Sequence, residues 1–301
     1  MVHLLAEVGF QSNWFDTLQA NFMRNAFIGG TLVAIASGVI GYFVVIRRDA
    51  FAAHALGHIG FPGATLAVLL GIPVMVGLAV FCVSGGLAIG ALGKRVANRE
   101  VATGTILAYA TGLGVLFASL ASENTSSITN VLFGNLLAIS TGQIRTFTFF
   151  TVGLLAALAL VARPLLFSSV DPQVAEAKGV PVRALGIAFM ALLALAITMA
   201  IQVVGTLLLF ALVVTPAAAA LAITARPAAV AAIGTAIGVG AVWIGLVVAV
   251  MFNLPPSFCI VTLSCATWLV TLFATRRGRR RTGPRTSGHD HHHPEPVKHL
   301  A

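Results

Sequence analysis

The segment 26–70 decides the fold class of this chain and reads AFIGGTLVAIASGVIGYFVVIRRDAFAAHALGHIGFPGATLAVLL. It holds two mostly apolar runs, 26–46 and 51–70, which are separated by the charged triplet 47–49. A helix of about 20 apolar residues crosses the hydrocarbon core of a bilayer. A helix also satisfies its own backbone polar groups, which lipid cannot do. The segment therefore predicts two membrane-spanning helices joined by a short charged turn.

The same pattern continues along the chain, of which 58% is hydrophobic and 9% charged. Soluble domains are roughly 25% charged, so a soluble fold is excluded. The weakest separations between runs are at residues 71–73 and at Gly205, so eight spans fit the pattern as well as nine. We predict an all-α, polytopic membrane bundle over 26–275, an amphipathic lead-in over 1–25 and a disordered basic tail over 276–301. The nine candidate spans are 26–46, 51–70, 72–92, 101–121, 144–166, 184–203, 205–224, 228–251 and 257–275.

Lys and Arg residues follow alternate apolar runs. Only Arg24 and Arg145 of the 18 basic residues lie elsewhere. Short loops rich in Lys and Arg stay in the cytoplasm, so these loops and the C-terminus are predicted to be cytoplasmic. This topology accounts for the net charge of +9 without a nucleic-acid partner. The basic residues of these connections are Arg47, Arg48, Lys94, Arg95, Arg99, Arg163, Lys178, Arg183, Arg226 and those of the tail.

Two histidines stand near the start of the second run. His54 and His58 are four residues apart, so on a helix they share one face and are able to bind one metal ion. The alternative is a pair of neutral histidines that hydrogen-bond between helices. Zinc takes four ligands and no intramembrane carboxylate is evident, so a symmetric dimer that brings four histidines together is one way to complete the shell. Glycines at 57, 60 and 63 allow close helix approach, either across that dimer or within the subunit.

The tail carries a second group of histidines in a segment rich in Arg, Pro and Gly. Such a composition predicts disorder. The group is expected to bind a metal ion loosely in the cytoplasm; the remnant of an affinity tag is the alternative origin. Its members are His289, His291, His292, His293 and, further along, His299.

The cytoplasmic connection 163–183 contains helix signals of its own. Ser169 or Asp171 is able to cap a short helix, Pro172 suits its first turn, and Gly179 ends it. An ordinary loop helix and a docking surface for a soluble partner both fit this pattern. The segment GALGKR (90–95) lacks the spacing of a phosphate-binding loop, so the chain shows no ATPase motif and is not predicted to be an enzyme.

Five segments in order resemble the permease subunits of zinc, manganese and iron ABC importers, the ABC-3 family. The resemblance covers about residues 22–275. The segments are FMRNAFIGGTLVAIASGVIGYFVVIRRDAF (22–51), HALGHIGFPGATLA (54–67), NVLFGNLLAIS (130–140), DPQVAEAKGVPV (171–182) and VVGTLLLFALVVTPAAAA (203–220).

The resemblance implies a homodimer in the bacterial plasma membrane that works with two copies of an ATPase subunit and an extracytoplasmic metal-binding protein. His58 matches a family histidine expected to face the translocation path. His54 stands where many members have aspartate, and an imidazole there suits zinc better than manganese, which prefers carboxylates. The segment expected to couple the permease to the ATPase contains Asp171, Pro172, Ala175, Glu176 and Gly179.

Two other functions were compared with this one. A permease for a metal chelate such as a siderophore or cobalamin would need a wider path than a histidine-lined one. A membrane di-iron hydroxylase or desaturase would need further histidine boxes on ordered segments, whereas the second cluster here lies in the tail.

Overall fold

The computed structural model describes residues 14–92, 96–120 and 132–281. Within these ranges the chain is helical and contains no strand. A single turn of 3₁₀ helix, Leu136–Ala138, precedes α6. The helices are α1 Trp14–Gln19, α2 Asn21–Ile46, α3 Ala50–Leu70, α4 Val74–Leu92, α5 Val96–Leu120, α6 Thr141–Val170, α7 Pro172–Ala177, α8 Val182–Val213, α9 Thr215–Ile223, α10 Pro227–Phe252 and α11 Pro256–Arg281.

Eight of the described helices are long and apolar enough to cross a membrane: α2 to α6, α8, α10 and α11. The prediction of an all-α membrane bundle is confirmed. Helices α2, α3 and α8 are mostly buried at the centre, whereas α5, α6 and α11 expose most of their surface. Residues 276–281, predicted to belong to the tail, continue α11, and residues 282–301 lie outside the described part of the chain.

The structure decides between eight and nine spans at Gly205. This residue has φ 79° and ψ 171°, a conformation that interrupts α8. The predicted seventh span, 205–224, therefore does not form one continuous crossing helix. It consists of the end of α8 and the short α9, which together return toward Arg226.

The break at Gly205 is filled by the segment that precedes α6. Gly134 also has a positive φ, of 77°, and a Cβ placed there would lie 2.5 Å from the Val203 carbonyl oxygen. The Asn135 amide donates to the Gln202 carbonyl at 3.2 Å, so one of the carbonyls freed by the break has a partner. Glycine suits both positions because no side chain fits between the two backbones.

Tertiary contacts gather the basic connections at one end of the bundle, here called the basic end. Arg47, which follows α2, donates from Nη1 to Ser169 Oγ near the end of α6, at 3.2 Å. The same guanidinium lies beside Gly186, near the start of α8. Arg226 lies at this end too, because α10 packs along α2 in the antiparallel sense.

The opposite end is formed by the segment 132–140 and the starts of α4 and α11. Ser257 Oγ donates to the Phe133 carbonyl at 2.9 Å. Pro73, Asn135 and Gln202 line one cavity there. The charge asymmetry read from the sequence thus corresponds to two distinct ends of the folded chain.

Candidate functional site

The two histidines lie on one face of α3, in its second and third turns from the basic end. The centroids of the His54 and His58 rings are 4.8 Å apart, with an angle of 74° between the ring planes. Both side chains are half-buried. The i, i+4 spacing therefore brings the two imidazoles close enough to share a ligand.

An aromatic side chain from beyond the Gly205 break covers one side of this pair. The Phe210 ring packs edge-on to His54, with centroids 6.3 Å apart. Phe210 is 41% exposed and Phe51, one turn before His54, is 46% exposed. The histidines therefore open onto an aromatic-lined part of the surface of this single chain rather than into its closed core.

One chain supplies only part of a metal coordination shell. Among the described residues, no group of three or more His, Cys, Asp or Glu side chains is placed to hold a metal ion. Asp49 is the acidic residue nearest to the pair in sequence, and it is 1% exposed and paired with Arg47 at 3.2 Å. Two imidazoles alone leave positions open on an ion that takes four or more ligands.

The three glycines of α3 serve contacts within the subunit. A Cβ on Gly57 would lie 3.0 Å from Leu209, and one on Gly60 would lie 2.9 Å from Cys82 Sγ. Gly63 and Gly77 bring the backbones of α3 and α4 into direct contact. All of these neighbours belong to the same chain, so the glycines give no support to a dimer contact.

The predicted short helix at the basic end is present as α7. Asp171 Oδ1 accepts from the Val174 amide at 3.0 Å, so Asp171 rather than Ser169 is the cap. Pro172 begins the helix, as its fixed φ favours. Gly179 follows the helix with φ 82°, where a side chain would be strained.

Helix α7 shows most of its surface to solvent. Ala175 is fully buried, whereas Val174 and Glu176 are exposed. Ala175 is therefore the one buried side chain of α7, and the other side chains of this helix are exposed on the described surface. The tail histidines His289, His291, His292 and His293 lie outside the described residues.

Sequence reasoning missed a cavity of about 640 Å³ at the opposite end, with a lining of both apolar and polar residues. Its uncharged polar lining includes Asn135, Ser140, Gln143 and Gln202. Gln143 Nε2 donates to Gln202 Oε1 at 3.3 Å, which ties α6 to α8. In the sequence, the two glutamines at the edges of apolar runs were the sign of this cavity. Because they are 59 residues apart, the sequence did not show that they contact each other.

Comparison with known proteins gives matches over nearly the whole chain. The family model described as the ABC 3 transport family matches residues 19–275, which include every spanning helix. The manganese transport system membrane protein MntC of Listeria monocytogenes is 30% identical over 264 residues, covering 87% of this chain and 94% of that protein. The manganese import system permease protein ScaB of Streptococcus parasanguinis is 29% identical, covering 89% and 96%. The solved structure of PsaBC from Streptococcus pneumoniae in complex with Fab has a chain that superposes with a TM-score of 0.80 at 26% identity, covering 90% of this chain and 99% of that one.

Proposed function

This chain belongs to the ABC 3 transport family, and from that membership we propose that it is the membrane-spanning subunit of an ATP-driven importer of a divalent transition metal ion. The observation that carries the proposal is the pair of close imidazoles on α3, which opens onto the surface of a family permease fold. Ionisable side chains inside a membrane span are costly and tend to mark a transport path.

Manganese is the favoured substrate. Relatives that match most of this chain are named for manganese transport or import, whereas the sequence alone favoured zinc. Zinc is the second candidate, because His54 and His58 both offer nitrogen and manganese prefers oxygen ligands. Iron belongs to the same class of substrate.

A second copy of the chain would complete the site. Half-buried imidazoles that faced lipid would lose hydrogen bonds and gain none, so a protein or aqueous neighbour is expected beside them. In a twofold homodimer with this face at the axis, each chain contributes the same two residues, which gives four imidazoles around one ion.

The energy for transport comes from a partner subunit in this proposal. Helix α7, with Asp171, Pro172, Ala175, Glu176 and Gly179, docks on an ATPase subunit and follows its movement. An extracytoplasmic metal-binding protein delivers the ion at the opposite end of the bundle. ATP binding and hydrolysis then switch the path between its two openings, and the neutral imidazoles hold the ion only transiently.

The basic end is assigned to the cytoplasm. Arg47 and Arg226 follow helices that end there, and the arginines from 276 to 281 stand in the last turns of α11. Segments rich in Lys and Arg next to membrane spans remain on the cytoplasmic side. We therefore place the permease in the bacterial plasma membrane with its C-terminus inside the cell.

Uptake of radioactive manganese and of radioactive zinc by whole cells tests the proposal. We expect His58→Ala and His54→Ala to lower uptake by about tenfold or more, because each removes a direct ligand. Thr105→Ala is the matched control, since Thr105 only bonds to its own helix at Val101. Wild-type uptake in both histidine variants, at equal membrane expression, would remove the pair from the mechanism.

Truncation after Arg281 separates this function from the di-iron enzyme. A permease without the tail histidines should keep its uptake, whereas an enzyme that used them as a histidine box would lose its activity. A chelate permease is distinguished by competition: an excess of iron-loaded siderophore or of cobalamin should leave uptake of the simple metal ion unchanged.

A further inference from the structure

A buried ion pair stands in the turn between α2 and α3 that neither the proposed metal site nor the docking helix uses. Arg47 Nε donates to Asp49 Oδ2 at 3.2 Å. The Asp49 side chain is fully buried, and that of Arg47 is 10% exposed. A charge pair in such a place persists only when further partners satisfy its remaining donors and acceptors.

Arg47 has partners on two other helices. Its Nη1 donates to Ser169 Oγ near the end of α6 at 3.2 Å, and that hydroxyl in turn donates to the Leu165 carbonyl. The guanidinium carbon also lies 5.1 Å from the centroid of the Phe189 ring in α8, within the range of a cation–π contact. The planar guanidinium of Arg47 thus contacts α6 and α8 and is also paired with Asp49, the residue just before α3.

These contacts connect the two functional elements of the chain. Ser169 stands two residues before Asp171, the cap of α7. Asp49 begins α3, since its carbonyl accepts from Ala53, and His54 follows in the first turns of that helix. One route from α7 to the histidines therefore runs through a hydrogen bond and an ion pair that Arg47 makes.

We propose that Arg47 is a positioning residue that transmits movement of α7 to the histidine helix α3. This role rests on the proposed function, in which an ATPase moves α7. A displacement of α7 moves Ser169. The guanidinium of Arg47 moves with Ser169 because its planar geometry is rigid, and Asp49, which is paired with Arg47, then moves the start of α3. Without the link, the ATPase still turns over but its movement reaches the histidines less effectively.

The test uses the whole transporter, with permease, ATPase and metal-binding protein, in lipid vesicles. Manganese uptake and ATP hydrolysis are measured in the same vesicles, and their ratio is the readout. Ser169→Ala removes only the link to α6 and leaves the buried ion pair, so it avoids the folding cost of an unpaired charge. We expect this variant to lower the number of ions transported per ATP by about threefold, within the range that single residues change coupling.

Two variants of Arg47 and one control extend the test. Arg47→Lys keeps a charge for Asp49 but cannot reach Asp49 and Ser169 together, so it should resemble Ser169→Ala. Arg47→Gln should lower the ratio further, by about tenfold. Arg48→Asn is the matched control, because Arg48 is exposed and asparagine tolerates its φ of 58°. This control should keep the wild-type ratio.

The outcomes separate the coupling role from a purely structural one. An unchanged ratio in Ser169→Ala and Arg47→Lys overturns the inference, and so does a proportional loss of uptake and hydrolysis that follows loss of assembled complex. Wild-type vesicles that hydrolyse ATP but accumulate no metal would instead overturn the proposed function, and the coupling role with it.

Discussion

At the scale of single residues, the chemistry of the site depends on which atom His54 presents. The family resemblance places aspartate at this position in many members, so here a neutral nitrogen replaces a charged oxygen. The centroids of the His54 and His58 rings are 4.8 Å apart, so the two side chains are close enough to bind one ion together. Histidine in place of aspartate at this one position therefore changes both the net charge of the proposed site and the hardness of its donor atoms.

The variant His54→Asp tests this reasoning. A carboxylate favours manganese over zinc relative to an imidazole, so the variant should need about tenfold more zinc to compete with manganese uptake. The measurement is competition of unlabelled zinc against radioactive manganese in whole cells. His54→Asn, which supplies a neutral oxygen, is the control for charge. Equal competition by zinc in wild type and both variants would show that His54 does not set the preference.

At the scale of helices, the most consequential element is α8, which breaks at Gly205. The end of α8 beyond the break carries Phe210 to the side of His54. The segment with Gly134 fits against the break so closely that a Cβ at Gly205 would collide with the Leu132 carbonyl oxygen. A contact between two backbones thus sets the position of Phe210, the aromatic neighbour of the proposed metal site.

Gly205→Ala should destabilise the permease strongly. The φ of 79° with ψ of 171° is essentially restricted to glycine, and the strain alone costs about 1–3 kcal/mol before the collision is counted. The expected result is a lower Tm of the purified protein in detergent. Gly153→Ala in α6 is the matched control, because nothing lies within 4 Å of a Cβ there and alanine favours the helix. A Tm for Gly205→Ala equal to that of the control would contradict the assigned backbone.

At the scale of the whole molecule, the described surface exposes many large apolar side chains, and the proposed metal site on it is incomplete. Helices α5, α6 and α11 are mostly exposed in the single chain, as helices that face lipid or a partner would be. The histidine face of α3 carries the exposed Phe51 beside polar imidazoles, which fits a protein neighbour better than lipid. A homodimer that places this face at its axis would cover both Phe51 and the imidazoles.

Cross-linking in membranes checks that arrangement. With the native cysteines Cys82, Cys259 and Cys265 replaced by serine, Phe51→Cys should form a covalent dimer on treatment with a short bis-maleimide. Tyr109→Cys on α5, where Tyr109 is 70% exposed, should remain monomeric because it lies outside the histidine face of α3 that is proposed as the axis. A dimer from Tyr109→Cys and none from Phe51→Cys, at equal labelling of the two thiols, would place the contact on another face.

The sequence by itself determined the fold class, the short helix α7 and the shared face of His54 and His58. Each of these follows from composition, from caps such as Asp171 or from the 3.6-residue period, which are properties of neighbours along the chain. The orientation of the bundle in the membrane stays a prediction, made from the basic residues of the connections.

Only the tertiary structure decided which apolar runs cross completely and what surrounds the site. The break at Gly205 depends on Gly134, and the link from Arg47 to Ser169 joins residues 122 positions apart. The same holds for Gln143 with Gln202 and for Phe210 with His54. A local sequence pattern carries no information on such pairs. The packing of the helices determines which side chains meet, and the number of residues between them along the chain does not.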